Sequence, residues 1–85
     1  MTVDHDGELA LYLQIAAILR ARIASGELQV GRPIPSEMTM AQQYGVSRLT
    51  VRKAVHLLRA EGLVRHAVGR GTFVQPPPPP SAADS

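Results

Sequence analysis

Three arginines, Arg48, Arg52 and Arg59, carry the most pointed chemistry in this chain. On a helix turning about 100° per residue they fall within about 40° of one another, with His56 beside them and Lys53 further round. A guanidinium presents paired N–H donors that match two phosphate oxygens or the O6 and N7 edge of guanine, whereas an ammonium is only a point charge. The same segment places Val51, Ala54 and Leu58 on another side, with Leu57 at the edge. It therefore has one face for a core and one for something outside. A solvated charged face is the plain alternative, but such faces usually mix signs through acid–base pairs four residues apart. Here no acid occurs along the helix until Glu61. An arginine stripe without counter-charges on its own helix suits a polyanion.

A second cluster follows in "VGRGT", where Arg70 stands between Gly69 and Gly71. It is not a phosphate-binding P-loop, because no Gly-Lys-Ser/Thr follows and the next segment reads as a strand. Glycines on both sides let the backbone approach a phosphate or a minor-groove wall while the guanidinium reaches in. A hairpin turn alone would also use them, but their place directly after the arginine helix favours the binding role. His5, His56 and His66 have neither metal-ligand spacing nor a paired carboxylate or nucleophile. We expect His5 to be disordered, and His56 and His66 to lie on the surface near DNA. Ser36, Ser47 and Thr50 are accounted for as helix caps or DNA contacts. No enzyme, metal or cofactor is expected.

These side chains need elements to hold them. A first helix from about Glu8 to Ser25 is expected, with Tyr12, Ile15, Leu19 and Ile23 on one face and Leu11 and Ile18 widening it. Gly26 fits the left-handed position after its end, and Leu28 fits a packing contact back on the last turn. Pro33 and Pro35 impose an extended path, and Ser36 then caps a short second helix, "EMTMAQQY", with Glu37 near its positive end. Met38 and Ala41 are its expected inward residues. Gly45 closes it, and Ser47 caps the third helix, Arg48 to about Glu61, which Gly62 ends. Two helices joined by so short a turn form a helix-turn-helix pattern. Two short strands, Leu63–His66 and Thr72–Val74, then flank the glycine loop.

The 85 residues allow one domain at most. Residues 1–8 are expected to be a flexible N-terminus, 9–75 the domain, and 76–85, with five successive prolines, a linker or disordered tail. The apolar run Leu9–Leu19 follows acidic rather than basic residues, lacks a small-residue cleavage site, and is too short to span a bilayer. No membrane association is expected. The absence of cysteine removes disulfide, zinc-ribbon and thiolate chemistry and fits a reducing, cytoplasmic compartment. The formal net charge is only +2, yet residues 48–75 hold six of the nine Arg and Lys against one acid. The basic character is local.

The order and spacing of "YLQIAAILRARIASGEL", "PSE", "GVSRLTVRKAV" and "EGLVRHAVGRGTFV", from Leu11 to Val74, resemble the GntR family of bacterial transcription regulators, in its HutC-type branch. The resemblance implies a winged helix-turn-helix, mainly α with a small β-hairpin wing. It also implies sequence-specific binding to double-stranded DNA as a dimer on an inverted repeat, with repression as the default outcome. Carried over by position, Ser47, Arg48, Thr50 and Arg52 would reach bases or phosphates from the recognition helix. Glu37 would stand at the start of the second helix, and Gly69, Arg70 and Gly71 would form the wing tip. Met38 stands where the family commonly has arginine. Leu49 stands where threonine is common, either packed on a thymine methyl or merely exposed. Family members continue into a dimerising domain that binds a small-molecule effector. The proline run reads as a spacer towards it, so the chain is expected to be an excised DNA-binding part, monomeric in isolation. The rival reading is a winged helix used for RNA or protein contacts, which would not need a basic helix and basic wing aligned for two grooves.

Overall fold

The computed structural model describes Val3 and residues 10–76. Three helices and a hairpin follow in chain order: α1 (Leu11–Ala24), α2 (Glu37–Tyr44), α3 (Arg48–Ala60), β1 (Val64–Ala67) and β2 (Gly71–Val74). Helix α3 is central, with α1, α2 and β1 packed against it. The apolar face of α1 buries Ile15, Ala16, Ile18 and Leu19, while Leu11, Tyr12 and Ile23 pack at the margin. Val3, 4% exposed, joins this core. His5, the rest of the segment expected to be flexible, and the chain beyond Pro76 lie outside the described residues.

Helices α2 and α3 and the turn between them follow from two serine hydroxyls and one glycine. The Ser36 hydroxyl accepts the Thr39 N–H at 3.1 Å, and the Ser47 hydroxyl accepts the Thr50 N–H at 3.1 Å. Each satisfies an amide that the helix leaves unpaired at its start. Between them Gly45 takes φ 67°, and the Val46 N–H returns to the Ala41 carbonyl at 3.0 Å. This left-handed residue closes the end of α2 and turns the chain within three residues, a geometry that a Cβ would oppose.

One expected core residue is on the wrong side. Met38 is 54% exposed, and the buried residues of α2 are Met40, Ala41 and Tyr44. Met38 shares a helical face with Ala41, three residues on, whereas Met40 and Ala41 are adjacent and about 100° apart. Met40 and Tyr44, four residues apart, supply the larger apolar surface, and that surface decides which side turns inward. On α3, Val51, Ala54 and Leu58 are buried as expected, but so is Val55, at 9% exposure. Val55 lies within about 20° of Arg48 around the helix, so the arginine side is itself partly covered.

The hairpin pairs Val64 with Val74, Arg65 with Phe73, His66 with Thr72 and Ala67 with Gly71; the first strand is shifted by one residue from expectation and the second begins one residue earlier and ends at Val74 as expected. Val64 and Val74 are 2% and 1% exposed and seat the base of the hairpin on the core. The extended path imposed by the prolines has a role the sequence did not disclose. Gly31 N–H donates to the Val74 carbonyl, Val74 N–H to the Arg32 carbonyl, and Ile34 N–H to the Thr72 carbonyl, at 2.9, 3.0 and 2.9 Å. Residues 31–34 thus line the outer edge of β2, and buried Ile34 pins them to the core. Side chains tie the helices further. Arg20 of α1 grips Glu61 at the end of α3 with Nε at 2.9 Å and Nη2 at 2.7 Å. Arg22 reaches Glu27 at 2.6 Å and the Tyr44 hydroxyl at 3.0 Å.

Candidate nucleic-acid interface

The start of α2, the first half of α3 and the wing surround one cleft of about 560 Å³. Its lining includes Ser36, Glu37 and Met38 from the start of α2, Arg48 and Val55 from α3, and His66, Arg70, Gly71 and Thr72 from the wing. Arg52, His56 and Arg59 flank an adjoining hollow together with Glu37, His66 and Thr72. Residues distant in sequence, Arg48, Arg52, Arg59, His66 and Arg70, are thereby brought around one concave surface. No acidic partner within ion-pair distance is found for Lys53, Arg59 or Arg70 among the described residues. The two arginines of α1 are already engaged with acids.

The α3 arginines have no counter-charge on their own helix before Glu61, as expected, but they are not without one. The counter-charge comes from another helix. Arg52 donates from Nε to Oε2 and from Nη2 to Oε1 of Glu37, both at 2.9 Å. Arg48 Nη2 is 3.8 Å from the same Oε1, an ion pair without a hydrogen bond. The Arg52 hydrogen bond holds the Glu37 carboxyl below the usual carboxylate range; burial opposes this, and the charges of Arg52 and Arg48 add to it. A search along α3 for acids could not find this pair, because Glu37 and Arg52 are fifteen residues apart.

Ser47 and Thr50 stand in the cap of α3, their hydroxyls 2.9 Å apart, so one of the two O–H groups is committed and one is left to donate. Ser36 repeats the arrangement by donating to the Thr39 hydroxyl at 2.9 Å. Leu49 is 57% exposed and borders, with Tyr12, Arg52, Lys53, His56 and Leu57, a shallow groove that shares Arg52 and His56 with the hollow. Exposure in the free protein suits both of its readings, a thymine-methyl contact and a merely exposed side chain. Gly69 and Gly71 have φ of 75° and 110°, and the Arg70 N–H closes the tip turn on the Ala67 carbonyl at 2.9 Å. Positive φ at Gly69, third residue of that turn, is the type II pattern. Val68 projects beside Arg70, 90% exposed. Arg65 is directed elsewhere, its guanidinium 5.6 Å from the centre of the Phe73 ring.

Residues missed at the sequence level are Val55 and Thr72, which floor the cleft, and Pro33, Ile34 and Pro35, which form its outer wall. An apolar residue between two prolines was the available signal for that wall, since it needs burial on an otherwise extended path.

Residues 11–74 match the family described as "Bacterial regulatory proteins, gntR family". The chain is 44% identical over 77 residues to the HTH-type transcriptional repressor NagR of Bacillus subtilis, covering 91% of this chain and 32% of NagR. It spans about a third of the length of the curated relatives it matches. Among solved structures, YtrA from Sulfolobus acidocaldarius, a GntR-family transcription factor, superposes with a TM-score of 0.81 at 34% identity, over 89% of this chain and 80% of that one. AraR(DBD) in complex with operator ORX1 gives a TM-score of 0.74 at 33% identity, over 87% of this chain and 98% of that one.

Proposed function

This chain belongs to the gntR family of bacterial regulatory proteins, and from that premise we propose that it binds double-stranded DNA by sequence, as the reading domain of a transcriptional repressor. One observation carries the reading: the exposed start of α3, the start of α2 and the glycine–arginine wing tip converge on one concave basic surface. In a duplex complex α3 lies in the major groove. Ser47, Arg48, Leu49, Thr50 and Arg52 reach base edges or phosphates from its first two turns. Ser36 and Glu37 approach from α2, with His66, Gly69, Arg70 and Gly71 at the minor groove or its backbone. The two capped helix starts add unpaired amides that favour phosphate oxygens. Two copies engage an inverted repeat, one per half-site, and the free chain is monomeric.

Selection of bound duplexes from a random library, followed by titration of the winner against scrambled duplex, single-stranded RNA and an acidic polymer, tests the proposal. A recurrent half-site and preference for its duplex are expected. Equal affinity for all four ligands would reduce the surface to a generic polyanion patch, and preference for RNA would favour the rival module.

A further inference from the structure

The Glu37–Arg52 pair sits within the proposed reading surface, and its atoms leave Arg52 in an unusual state. Glu37 occupies the side edge of the guanidinium, Nε–H and one Nη2–H. The five donors of arginine lie in one plane, so the end-on edge, one Nη1 proton and the second Nη2 proton, is not used by Glu37. That edge is a parallel fork of the kind that fits guanine O6 and N7. Arg52 thus keeps its directional donors while its charge is matched by a carboxylate 2.9 Å away. Arg48 is in ion-pair range of the same carboxylate, so one acid moderates two arginines. Glu37 is itself held: it begins α2 directly after the Ser36 cap, and α2 packs on α3.

We propose that Glu37 is a positioning residue for specificity, locking Arg52 as an end-on base-reading fork and lowering the appetite of Arg52 and Arg48 for phosphate. The inference rests on the DNA-binding reading and deepens it. Phosphate attraction acts on any sequence and depends on net charge, whereas a guanine edge rewards direction. A neutralised but rigid fork loses more of the first than of the second. Glu37 therefore widens the gap between the operator and all other DNA without touching a base.

The test compares the unmodified chain with Glu37→Gln, Arg52→Ala and the double variant. Each is titrated by fluorescence anisotropy against the selected operator, the operator changed at the base pair that Arg52 reads, and scrambled duplex, over a salt series. Glu37→Gln keeps the shape and removes the charge. It should tighten scrambled-duplex binding about 3- to 10-fold at low salt and steepen its log–log salt slope by about one, as one released arginine takes a phosphate. It should also erode discrimination at the Arg52 base pair, and in the Arg52→Ala background this erosion should vanish. Arginine side-chain NMR of the DNA-free protein supplies an independent readout: distinct, slowly exchanging Arg52 Nη protons in the parent should merge in Glu37→Gln. Unchanged scrambled-duplex affinity, or loss of discrimination at a different base pair that persists without Arg52, overturns the proposal; the latter would mean that Glu37 reads a base itself. Failure of the unmodified chain to prefer any duplex sinks the underlying reading instead.

Discussion

Replacing Gly71 with valine puts a β-branched side chain on a backbone whose φ is 110°. No atom lies within 4 Å of the position its Cβ would take, so the cost is conformational rather than a clash with neighbours. Non-glycine residues held in such regions cost about 1–3 kcal/mol, and a side chain stiff at χ1 belongs near the upper end. If the hairpin keeps its shape, a cost near 3 kcal/mol appears as a fall in melting temperature of roughly 12–24 °C for a domain of this size. If the hairpin relaxes instead, the disturbance spreads to both sides. Arg70 precedes Gly71 at the tip, and the Thr72 carbonyl after it accepts the Ile34 N–H that anchors the outer segment. Arg70 then loses its aim, and operator affinity falls with a salt slope shallower by about one. Thermal melting by circular dichroism and anisotropy titration over a salt series distinguish the two routes. Val68→Ala, at a side chain 90% exposed, is the control and should leave melting unchanged. A Gly71→Val protein with parental melting temperature and parental operator affinity would refute the claim that this backbone requires glycine.

Arg52→Ala should weaken operator binding by about 5- to 150-fold and relax preference at one base pair, while Arg59→Ala should act mainly through salt dependence; equal, sequence-independent losses at both would make Arg52 a phosphate contact. Leu58→Ala, at a fully buried site, should cost about 2–5 kcal/mol, much of a stability typically about 5–15 kcal/mol; a chemical denaturation midpoint near the parent's would contradict the packing. Glu61 is held below its ordinary pKa of 4.5 first by the Arg20 hydrogen bond. Its contribution to stability is thus present above that value and drains as pH falls through the lowered one, so Glu61→Gln should flatten the acid side of the melting-temperature profile. An identical acid limb in parent and variant would show that the pair contributes nothing. Fusion of a dimerising segment after Pro80 should tighten operator binding well beyond the isolated chain by raising effective concentration; sedimentation equilibrium showing a stable dimer of the unfused chain at about 10 µM would remove the premise.

Local chemistry made much of this protein readable in its sequence. Ser36 and Ser47 cap helices because a hydroxyl can satisfy an orphan amide, and Gly45 turns the chain because it lacks a Cβ. The arginine spacing on α3 and the paired glycines around Arg70 rest equally on neighbours within a few residues. Those signals identified the helix-turn-helix, the hairpin and most of the candidate interface. What they left undecided depends on partners far along the chain. Met40 rather than Met38 turns inward because α3 offers its apolar face to one side of α2, and Met40 with Tyr44 supplies the larger apolar surface there. Val55 is buried among arginines because the wing and the start of α2 border that stripe. Residues 31–34 became the edge of the wing because their backbone amides and carbonyls needed partners, and β2 had an open side. Glu37 meets Arg52 only after α2 folds across α3. A carboxylate and a guanidinium fifteen residues apart carry no sequence signal of their pairing; the crossing of two helices decides it.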